Sequence, residues 1–345
     1  MTSTVTSLTS PFTRRRALIA AATASVALAV AACGGTDDKD EAAGSGGGLR
    51  KIQVALDWTP NTNHTGLYVA QSKGYFKAHG LEVEIVQPGD ADPGTLVAAD
   101  KIPFAVSAQE ALTQARAQGA PLVSVAAVIQ HNTSGFASPK DRGLTRPAQY
   151  AGKTYGGFGG AIEEPLLKSI VQADGGDASA IKTVNVGDAD FFAATKKGID
   201  FEWIFYGWTG IEAELRNAPV NIQYVKDYNP ALDFYTPILI TNEKRISQDP
   251  ELVKSFVAAA SEGYGYAAKN PADAASILLA AAPDLDKDLV GKSQAWLSPK
   301  YQDDAARWGE QKPEVWTNFS QWLLDQKVLT TKVDATKAYT NDFLP

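Results

Sequence analysis

The feature that most constrains this fold is an alternation of short apolar strands with helices, which occurs twice along the chain. The first occurrence has strands at residues 51–56, 81–86, 104–107 and 122–129, with helices at 65–73, around 96–99 and at 109–117. The second has strands at 153–157, 181–186 and 201–206, with helices at 164–173 and 191–197. Strands that alternate with helices favour open sheets. We therefore predict an α/β protein with two similar lobes.

The part of the chain after residue 249 is predicted to be mostly helical. The predicted helices lie at 251–268, 271–281 and 313–325. In the last of these, the apolar side chains recur at spacings that place them on one buried face. We therefore expect the tryptophans of this part to pack in the core rather than to bind a ligand, and they are Trp296, Trp308, Trp316 and Trp322.

The N-terminus has the pattern of a secretory signal. Arg14, Arg15 and Arg16 precede an apolar run at residues 17–32. A helix of that length reaches only about 24 Å, which is short of the ~30 Å hydrocarbon core of a bilayer. We therefore predict a signal peptide over residues 1–32 rather than a membrane-spanning helix. The arginines fit twin-arginine export and a plain basic region alike.

The single cysteine of the chain, Cys33, directly follows the apolar run. With the three residues before it, Cys33 resembles the lipobox of bacterial lipoproteins, in which the cysteine becomes the lipidated N-terminus after cleavage. An ordinary signal peptide with a chance cysteine is the alternative. Residues 33–48 are rich in glycine and acidic side chains and are predicted to form a flexible tether. The resulting prediction is a soluble body that a lipid anchors to the outer face of a bacterial cell membrane.

Composition excludes several classes of function. The chain has 39 acidic residues against 32 lysines and arginines, a net charge of −7, which disfavours broad electrostatic binding of nucleic acid. A single cysteine excludes an intrachain disulfide framework and a cluster of thiolate metal ligands. His64, His79 and His131 lie far apart, and none has a second His or Cys at metal-binding spacing. We predict no metal, no cofactor and no catalytic residues, and a monomer.

Ligands of open α/β sheets bind beyond the carboxyl ends of the strands, where loops lead into helices. The first such loop, DWTPNTNH at residues 57–64, combines an acid, an indole, several amides and an imidazole. Proline and asparagine are also ordinary turn residues, which is the alternative explanation. The candidate ligand contacts in this loop are Trp58, Asn61, Asn63 and His64.

Two further turns supply polar candidates. Ser107 and Gln109 lie at a strand-to-helix turn, where helix capping is an equally good explanation. The turn GGFGGAIEEP at 156–165 places Glu163 and Glu164 at a helix start. These acids oppose a phosphate, sulfonate or nitrate ligand and suit an amine or amidine, although acids also stabilise a helix N-terminus by themselves. The glycine spacing matches neither a dinucleotide fingerprint nor a phosphate loop.

The fourth candidate turn is aromatic. It follows the strand at 201–206, and Tyr206 and Trp208 flank a glycine there. Some of the nearby rings belong to the core, because side chains alternate between the two faces of a strand. Tyr235 could add a second aromatic wall. Aromatic walls together with carboxylates and amides suit a planar, nitrogen-rich heterocycle.

Three segments carry a likeness to a known family. They are LDWTPNTNHTGLYVAQSKGYFKAHGLEVEIVQP at 56–88, GKTYGGFGGAIEEP at 152–165 and DFYTPILITNEK at 233–244. Together they resemble the family of thiamine-pyrimidine-precursor binding proteins and pyrimidine synthases. Within that family the chain is most similar to solute-binding lipoproteins of ABC importers that salvage formylaminopyrimidine. The resemblance covers nearly all of the chain after the predicted signal peptide.

The resemblance implies a type II periplasmic-binding-protein fold, in which two α/β lobes joined by two crossing segments close on a ligand in the cleft. It implies one lobe formed by residues 49–136 and 237–345 and a second lobe formed by 137–236. It also implies stacking of the ligand on Trp58 and on an aromatic ring of the second lobe, with recognition by a carboxylate, either Glu163 or Glu164.

The resemblance further distinguishes binding from synthesis. The synthases of the family carry a Cys-Cys-Cys-Phe-Cys motif where this chain has 233–236, DFYT, and a lysine where it has Pro60, four residues before His64. We therefore predict a binding protein that captures formylaminopyrimidine or hydroxymethylpyrimidine by lobe closure and delivers it to a permease driven by an ATPase. The alternatives are a binding protein of the same fold for another solute, such as riboflavin or a sulfonate, and a pyrimidine synthase.

Overall fold

A computed structural model describes residues 48–345 apart from Pro88 and Asp90. The predicted signal peptide at 1–32, the predicted lipidation site Cys33 and the tether up to residue 47 lie outside the described residues. Within the part that is described, no helix is both long enough and apolar enough to cross a bilayer.

The described strands form two sheets of five strands each. The strands are β1 (Arg50–Ala55), β2 (Leu81–Val86), β3 (Phe104–Ser107), β4 (Leu122–Ala127), β5 (Ser134–Pro139), β6 (Thr154–Gly157), β7 (Lys182–Asn185), β8 (Phe201–Phe205), β9 (Val220–Tyr224) and β10 (Ile238–Asn242). The first sheet has the order β2-β1-β3-β10-β4 and the second has the order β7-β6-β8-β5-β9. In each sheet, one strand that arrives from the other part of the chain runs antiparallel to its neighbours.

Helices cover both sheets, and their first residues follow the usual rules for helix starts. They are α1 (Thr65–Ser72), α2 (Tyr75–Ala78), α3 (Pro93–Ala98), α4 (Gln109–Ala117), α5 (Glu163–Ala173), α6 (Phe191–Lys196), α7 (Ile211–Leu215), α8 (Glu243–Gln248), α9 (Pro250–Lys269), α10 (Pro271–Ala281), α11 (Lys287–Leu297) and α12 (Pro313–Asp325). Asp92, Asp190 and Asp286 accept hydrogen bonds from the first turns of α3, α6 and α11. Helices α9, α10 and α12 each begin with proline, whose fixed φ suits the first helical turn.

The core of the first sheet forms where α1 and α9 cross. A Cβ atom at Gly263 would lie 2.1 Å from the carbonyl oxygen of Gly66, so this close approach of two helix backbones requires glycine. Nearby, Phe256 of α9 stacks on Phe104 of β3 with ring centroids 3.9 Å apart. The helix pair thus covers one face of the parallel strands.

The core of the second sheet is aromatic. Tyr150 stacks on Phe201 of β8 with ring centroids 4.0 Å apart, and Phe136 of β5 meets the edge of Tyr155. Leu166 and Ile170 of α5 are fully buried against this cluster. These contacts fix β8 and the turn after β6, which both line a cavity between the two sheets.

The chain crosses between the sheets twice. The first crossing lies between β4 and β5, and the second lies between β9 and β10. The boundary predicted after residue 136 therefore falls inside β5, whereas the boundary before residue 237 lies just ahead of β10. The division into lobes at 49–136 plus 237–345 and 137–236 stays a prediction.

Helix α12 contacts the cores of both sheets. Trp316 packs with Ile238 and Ile240 of β10, while Phe319 and Trp322 pack in the aromatic cluster of the second sheet. Phe319 stacks on Phe234, with ring centroids 4.2 Å apart. The last helix, which the sequence assigned to the first lobe, therefore bridges the two.

Candidate functional site

A cavity of about 490 Å³ lies where loops of the two sheets face each other. The first sheet contributes the loop after β1 and the second crossing at Thr236 and Pro237. The second sheet contributes Phe158 after β6, residues 188–191 after β7, and the stretch from Glu202 to Glu212. Most of these segments follow the carboxyl ends of strands, which is the place where open α/β sheets bind ligands.

Three of the residues predicted in the loop after β1 line this cavity, namely Trp58, Asn61 and Asn63. The side chain of Asn61 is occupied within the loop, because its amide donates to the carbonyl of Thr59 and its oxygen accepts from the N–H of Asn63. This Asn turn presents the Trp58 ring to the cavity, and Trp58 is 51% exposed. An exposed indole beside a cavity is a surface on which a flat ligand can stack.

His64 does not line the cavity. Its side chain is fully buried, its Nδ1 accepts from the backbone N–H of Asn61 at 3.2 Å, and its Nε2 lies 2.7 Å from Oδ1 of Asp57. Because Nδ1 is an acceptor, the ring proton is on Nε2 and is donated to Asp57. His64 therefore orients Asp57, which lines the cavity. This position differs from the direct contact with a ligand that the sequence predicted for His64.

The glycine-rich turn also differs from the prediction. Glu163 is buried, and its carboxylate accepts from the Tyr155 hydroxyl at 2.6 Å and from the N–H groups of Phe158 and Gly160. Two of these bonds lie within the turn and the third comes from β6, so Glu163 fixes the turn to the strand before it and does not line the cavity. The residue presented to the cavity is Phe158, which is 45% exposed. Glu164 is exposed and lines a separate surface groove.

The two aromatic candidates in the segment after β8, Tyr206 and Trp208, have different surroundings. Trp208 lines the cavity, whereas the hydroxyl of Tyr206 donates to Glu214 at 2.5 Å and its ring lies against Trp296. The hydrogen bond to Glu214, with burial, raises the pKa of Tyr206 to about 12. Tyr206 is therefore directed away from the cavity by its partner on α7.

Ser107, Gln109 and Tyr235 lie outside the cavity lining. The Gln109 side chain accepts from the N–H of Tyr235 at 2.8 Å and donates to the carbonyl of Val315 at 3.3 Å. The hydroxyl of Tyr235 accepts from the N–H of Lys312 at 2.8 Å, and burial raises its pKa to about 12. Gln109 and Tyr235 thus connect the second crossing to α12 and the segment before it, and Ser107 ends β3 half-buried.

The most informative residue that the sequence analysis missed is Glu202. It lies in β8, is 3% exposed, lines the cavity, and has an Oε1 atom without a hydrogen-bond partner in the described structure. Burial, and then the charge of Asp190, raise the pKa of Glu202 to about 7. The available signal was an acid inside the otherwise apolar strand FEWIF. A buried acid that interrupts such a strand indicates a functional carboxyl.

The charged side chains that line the cavity are all acidic among the described residues. Its walls carry the carboxyl groups of Asp57, Asp188, Asp190, Glu202 and Glu212, and no lysine or arginine is among the described residues that line it. Beside the cavity, burial also raises the pKa of Glu110 to about 7, with the charge of Asp57 contributing. Such walls repel anions and accept hydrogen bonds from N–H groups or cations. Together with the rings of Trp58, Phe158 and Trp208, they suit a flat ligand that is rich in hydrogen-bond donors.

Solved structures of binding proteins have the same architecture. The aliphatic sulphonate binding protein SsuA of Escherichia coli superposes with a TM-score of 0.66 at 15% identity, covering 84% of this chain and 91% of that one. The alkanesulfonate-binding protein SsuA of Xanthomonas axonopodis, bound to MOPS, gives a TM-score of 0.65 at 14% identity over 85% and 99% of the two chains. The predicted type II periplasmic-binding-protein fold is thereby confirmed.

The sequence has curated relatives with several names. A formylaminopyrimidine-binding protein of Halalkalibacterium halodurans is 31% identical over 85% of this chain and 90% of its own length. A 4-amino-5-hydroxymethyl-2-methylpyrimidine phosphate synthase of Legionella pneumophila is 24% identical over 86% and 92%, and riboflavin-binding protein RibY of Chloroflexus aurantiacus is 24% identical over 86% and 87%. The family model described as NMT1/THI5 like matches residues 61–274. The chain therefore belongs to the NMT1/THI5-like family.

Proposed function

We propose that this chain is the solute-binding protein of an ABC importer and that it captures a thiamine pyrimidine precursor without transforming it. The candidate ligands are formylaminopyrimidine and hydroxymethylpyrimidine. Membership of the NMT1/THI5-like family and the name of the Halalkalibacterium halodurans relative support this ligand class. The fold, which the solved sulphonate-binding proteins share, fits capture and release of a solute between two lobes.

The observation that carries the proposal is the composition of the cavity walls. Aromatic rings face the cavity from both sheets, and the polar groups around them are mostly carboxylates without a lysine or arginine among the described lining residues. An aminopyrimidine offers a flat ring for stacking and N–H groups for the carboxylates. A sulfonate would meet like charges on these walls and no cationic partner.

Capture proceeds by closure of the two lobes. Trp58 belongs to the loop after β1, and Phe158 belongs to the loop after β6, so the two most exposed rings of the cavity come from different sheets. A ligand that stacks on one ring gains the second contact only when the other lobe moves over it. The two crossings form the hinge, and closure is favoured because the ligand binds the closed form more tightly.

The proposal includes the setting in which the protein acts. A signal peptide over residues 1–32 directs export, and a lipid on Cys33 anchors the mature protein to the outer face of the cell membrane. The closed, monomeric form docks on a membrane permease, and an ATPase drives release of the ligand into the permease. No nucleic acid takes part.

Riboflavin binding and pyrimidine synthesis are the competing functions, because two relatives are named for them. The resemblance aligns His64 with the active-site histidine of the synthases, and both ring nitrogens of His64 are hydrogen-bonded inside the protein, which disfavours synthesis. Riboflavin would compete for the same aromatic walls. The experiment below therefore compares these ligands directly.

The test is calorimetric titration of the mature protein with formylaminopyrimidine, hydroxymethylpyrimidine, thiamine, riboflavin and taurine. We expect one of the two pyrimidine precursors to bind at least about tenfold more tightly than the other three compounds, a difference of about 1.4 kcal/mol. Tighter binding of riboflavin or taurine would overturn the ligand assignment. Formation of a pyrimidine in a single-turnover assay with iron and pyridoxal phosphate would overturn the assignment as a binding protein.

The same titration tests the role of Trp58. Trp58→Ala should weaken binding of the preferred pyrimidine by about tenfold or more, because it removes a stacking surface of the cavity. The unliganded protein should keep its thermal stability, since the ring is 51% exposed. Leu49→Ala is the matched control, because Leu49 is 38% exposed and lies outside the cavity lining. Equal affinities of the wild type and Trp58→Ala would contradict stacking on this ring.

A further inference from the structure

We propose that Glu202 and the bound ligand share one proton, so that the protein takes up a proton when it binds an aminopyrimidine above neutral pH. This inference rests on the proposed function, because it requires an aminopyrimidine as the ligand. It goes further by naming the protonation state that the cavity selects and the residue that selects it.

Glu202 is isolated from polar partners in the fold. The residue is 3% exposed, yet its Oε1 atom has no hydrogen-bond partner within the described structure. Its neighbours in the sheet are Ala137 of β5 and Gly156 of β6, neither of which has a polar side chain. A Cβ atom at Gly156 would lie 3.1 Å from Cγ of Glu202 and 2.8 Å from Ile199, so this position has little room for a larger residue. A buried carboxyl without a partner costs free energy, which a ligand that supplies the partner can recover.

Glu202 differs from three of the other acids of the cavity. Asp57 accepts from His64, Asp190 accepts from the N–H of Ala193, and Glu212 is paired with Arg216. Among the described residues, Glu202 has no such donor or cation. Two titratable groups interact electrostatically with Glu202, namely Asp190 at the start of α6 and Tyr155 on β6. The hydroxyl of Tyr155 donates its hydrogen bond to Glu163 and not to Glu202. Both burial and Asp190 favour the neutral carboxyl, in keeping with the raised pKa of Glu202.

A neutral carboxyl matches the hydrogen-bonding groups of an aminopyrimidine. The carboxyl O–H donates to a ring nitrogen, and the carboxyl C=O accepts from the adjacent amino group. A carboxylate facing a ring-protonated pyrimidine makes the same two bonds with the proton on the other partner. In both arrangements Glu202 and the pyrimidine together hold one proton, and only the position of that proton differs. A pyrimidine without the amino group, or an anion, leaves the buried carboxyl poorly paired and is rejected.

The proton count gives a measurable consequence. At about pH 8.5 the free Glu202 and the free pyrimidine together hold almost no proton, whereas the complex holds one. Binding must then take up close to one proton, and the Kd should rise about tenfold for each further unit of pH. Titration in two buffers of different ionisation enthalpy measures this uptake directly, and the probe is 4-amino-5-hydroxymethyl-2-methylpyrimidine.

The decisive variant is Glu202→Gln. The amide of glutamine donates to the ring nitrogen and accepts from the amino group, so it reproduces the neutral carboxyl at every pH. We expect this variant to bind the probe with no proton uptake, and to bind it more tightly than the wild type at about pH 9. The matched control is Glu251→Gln on the exposed start of α9, which should keep the proton uptake of the wild type.

Two results would overturn this inference alone. One is binding of the probe by the wild type at about pH 8.5 with no proton uptake, which would leave the proposed function intact. The other is the same pH dependence in the wild type and in Glu202→Gln. Absence of binding at any pH, in a wild type whose circular dichroism shows it folded, would overturn the proposed pyrimidine function and this inference together.

Discussion

The imidazole of His64 connects the cavity to the core without entering the cavity. It is fully buried, accepts from the N–H of Asn61 and donates to Asp57. His64→Ala would leave both partners unsatisfied and would open space in the core. We therefore expect the free energy of unfolding to fall by about 3 kcal/mol, measured by urea unfolding of the unliganded protein.

The matched control for this prediction is His79→Ala. The His79 side chain is 30% exposed and lies 2.7 Å from Glu262 at the surface, so its loss should change the free energy of unfolding by less than about 0.5 kcal/mol. If His64→Ala kept full stability and reduced only ligand affinity, His64 would be a ligand contact, as the sequence indicated.

At the scale of single residues, the sequence identified the right loops but not the partners of each side chain. Trp58 and Asn63 line the cavity, and their predicted contact with a ligand stays a prediction, whereas Glu163 is turned inward by Tyr155 of β6 and by two N–H groups of its own turn. Tyr206 is drawn away by Glu214, which lies on the following helix. These partners are set by backbone geometry and by contacts between elements, and sequence spacing carries no information about either. Glu202 was detectable only as an acid in an apolar strand.

At the scale of elements, the sequence predicted the strands that are followed by helices better than the other strands. The predicted strand at 81–86 coincides with β2, and the predicted helix at 109–117 coincides with α4. The strands that the pattern missed, β5, β9 and β10, lie beside the crossings, and β5 pairs antiparallel with β9. β5 reads SGFASP, in which glycine, serine and proline conceal the alternation of a strand. Its pairing is decided by tertiary contacts rather than by local preference.

The two crossings are connected by an ionic cluster around His131. His131 lies on the first crossing, and its Nδ1 is 2.6 Å from Asp233 on the second crossing. Its Nε2 is 3.2 Å from Asp304, which is also paired with Lys312. Two carboxylate partners require a proton on each ring nitrogen, so the cluster favours the imidazolium.

This cluster should make stability depend on pH. The hydrogen bond to Asp233, with the charges of Asp233, Asp304 and Asp303, raises the pKa of His131. A raised pKa in the folded state gives stability that is complete below the unfolded pKa of about 6.5 and is lost as pH rises through the folded value. The difference in unfolding free energy between wild type and His131→Gln should therefore be largest below about pH 6.5 and should shrink towards about pH 8.5, measured by urea unfolding at each pH.

Asp304→Asn is the informative second variant, because it removes one of the two carboxylates and keeps Asp233. It should reduce the pH-dependent difference without abolishing it. A difference that stays constant between about pH 5.5 and pH 8.5, or that grows as pH rises, would contradict the assigned role of His131.

At the scale of the whole molecule, the two sheets are joined by more than the two crossings. Trp316 packs with the first sheet, whereas Phe319 and Trp322 of the same helix pack with the second. Trp316 also stacks on Tyr339, with ring centroids 5.4 Å apart, which ties the C-terminal segment to the same place. A hinge that permits closure must therefore bend around α12 without unpacking it. This arrangement predicts strong coupling between the stabilities of the two sheets.

The coupling is tested by unfolding in guanidinium chloride. We expect one transition with the same midpoint by tryptophan fluorescence and by far-UV circular dichroism, because neither core is complete when α12 detaches. Phe319→Ala removes a fully buried ring that stacks on Phe234 and should lower the free energy of unfolding by about 3–5 kcal/mol while the transition stays single. Gln321→Ala, on the exposed face of α12, is the control and should shift the midpoint little. Two separate transitions in the wild type, or a Phe319→Ala variant in which only one step moves, would show that the sheets unfold independently.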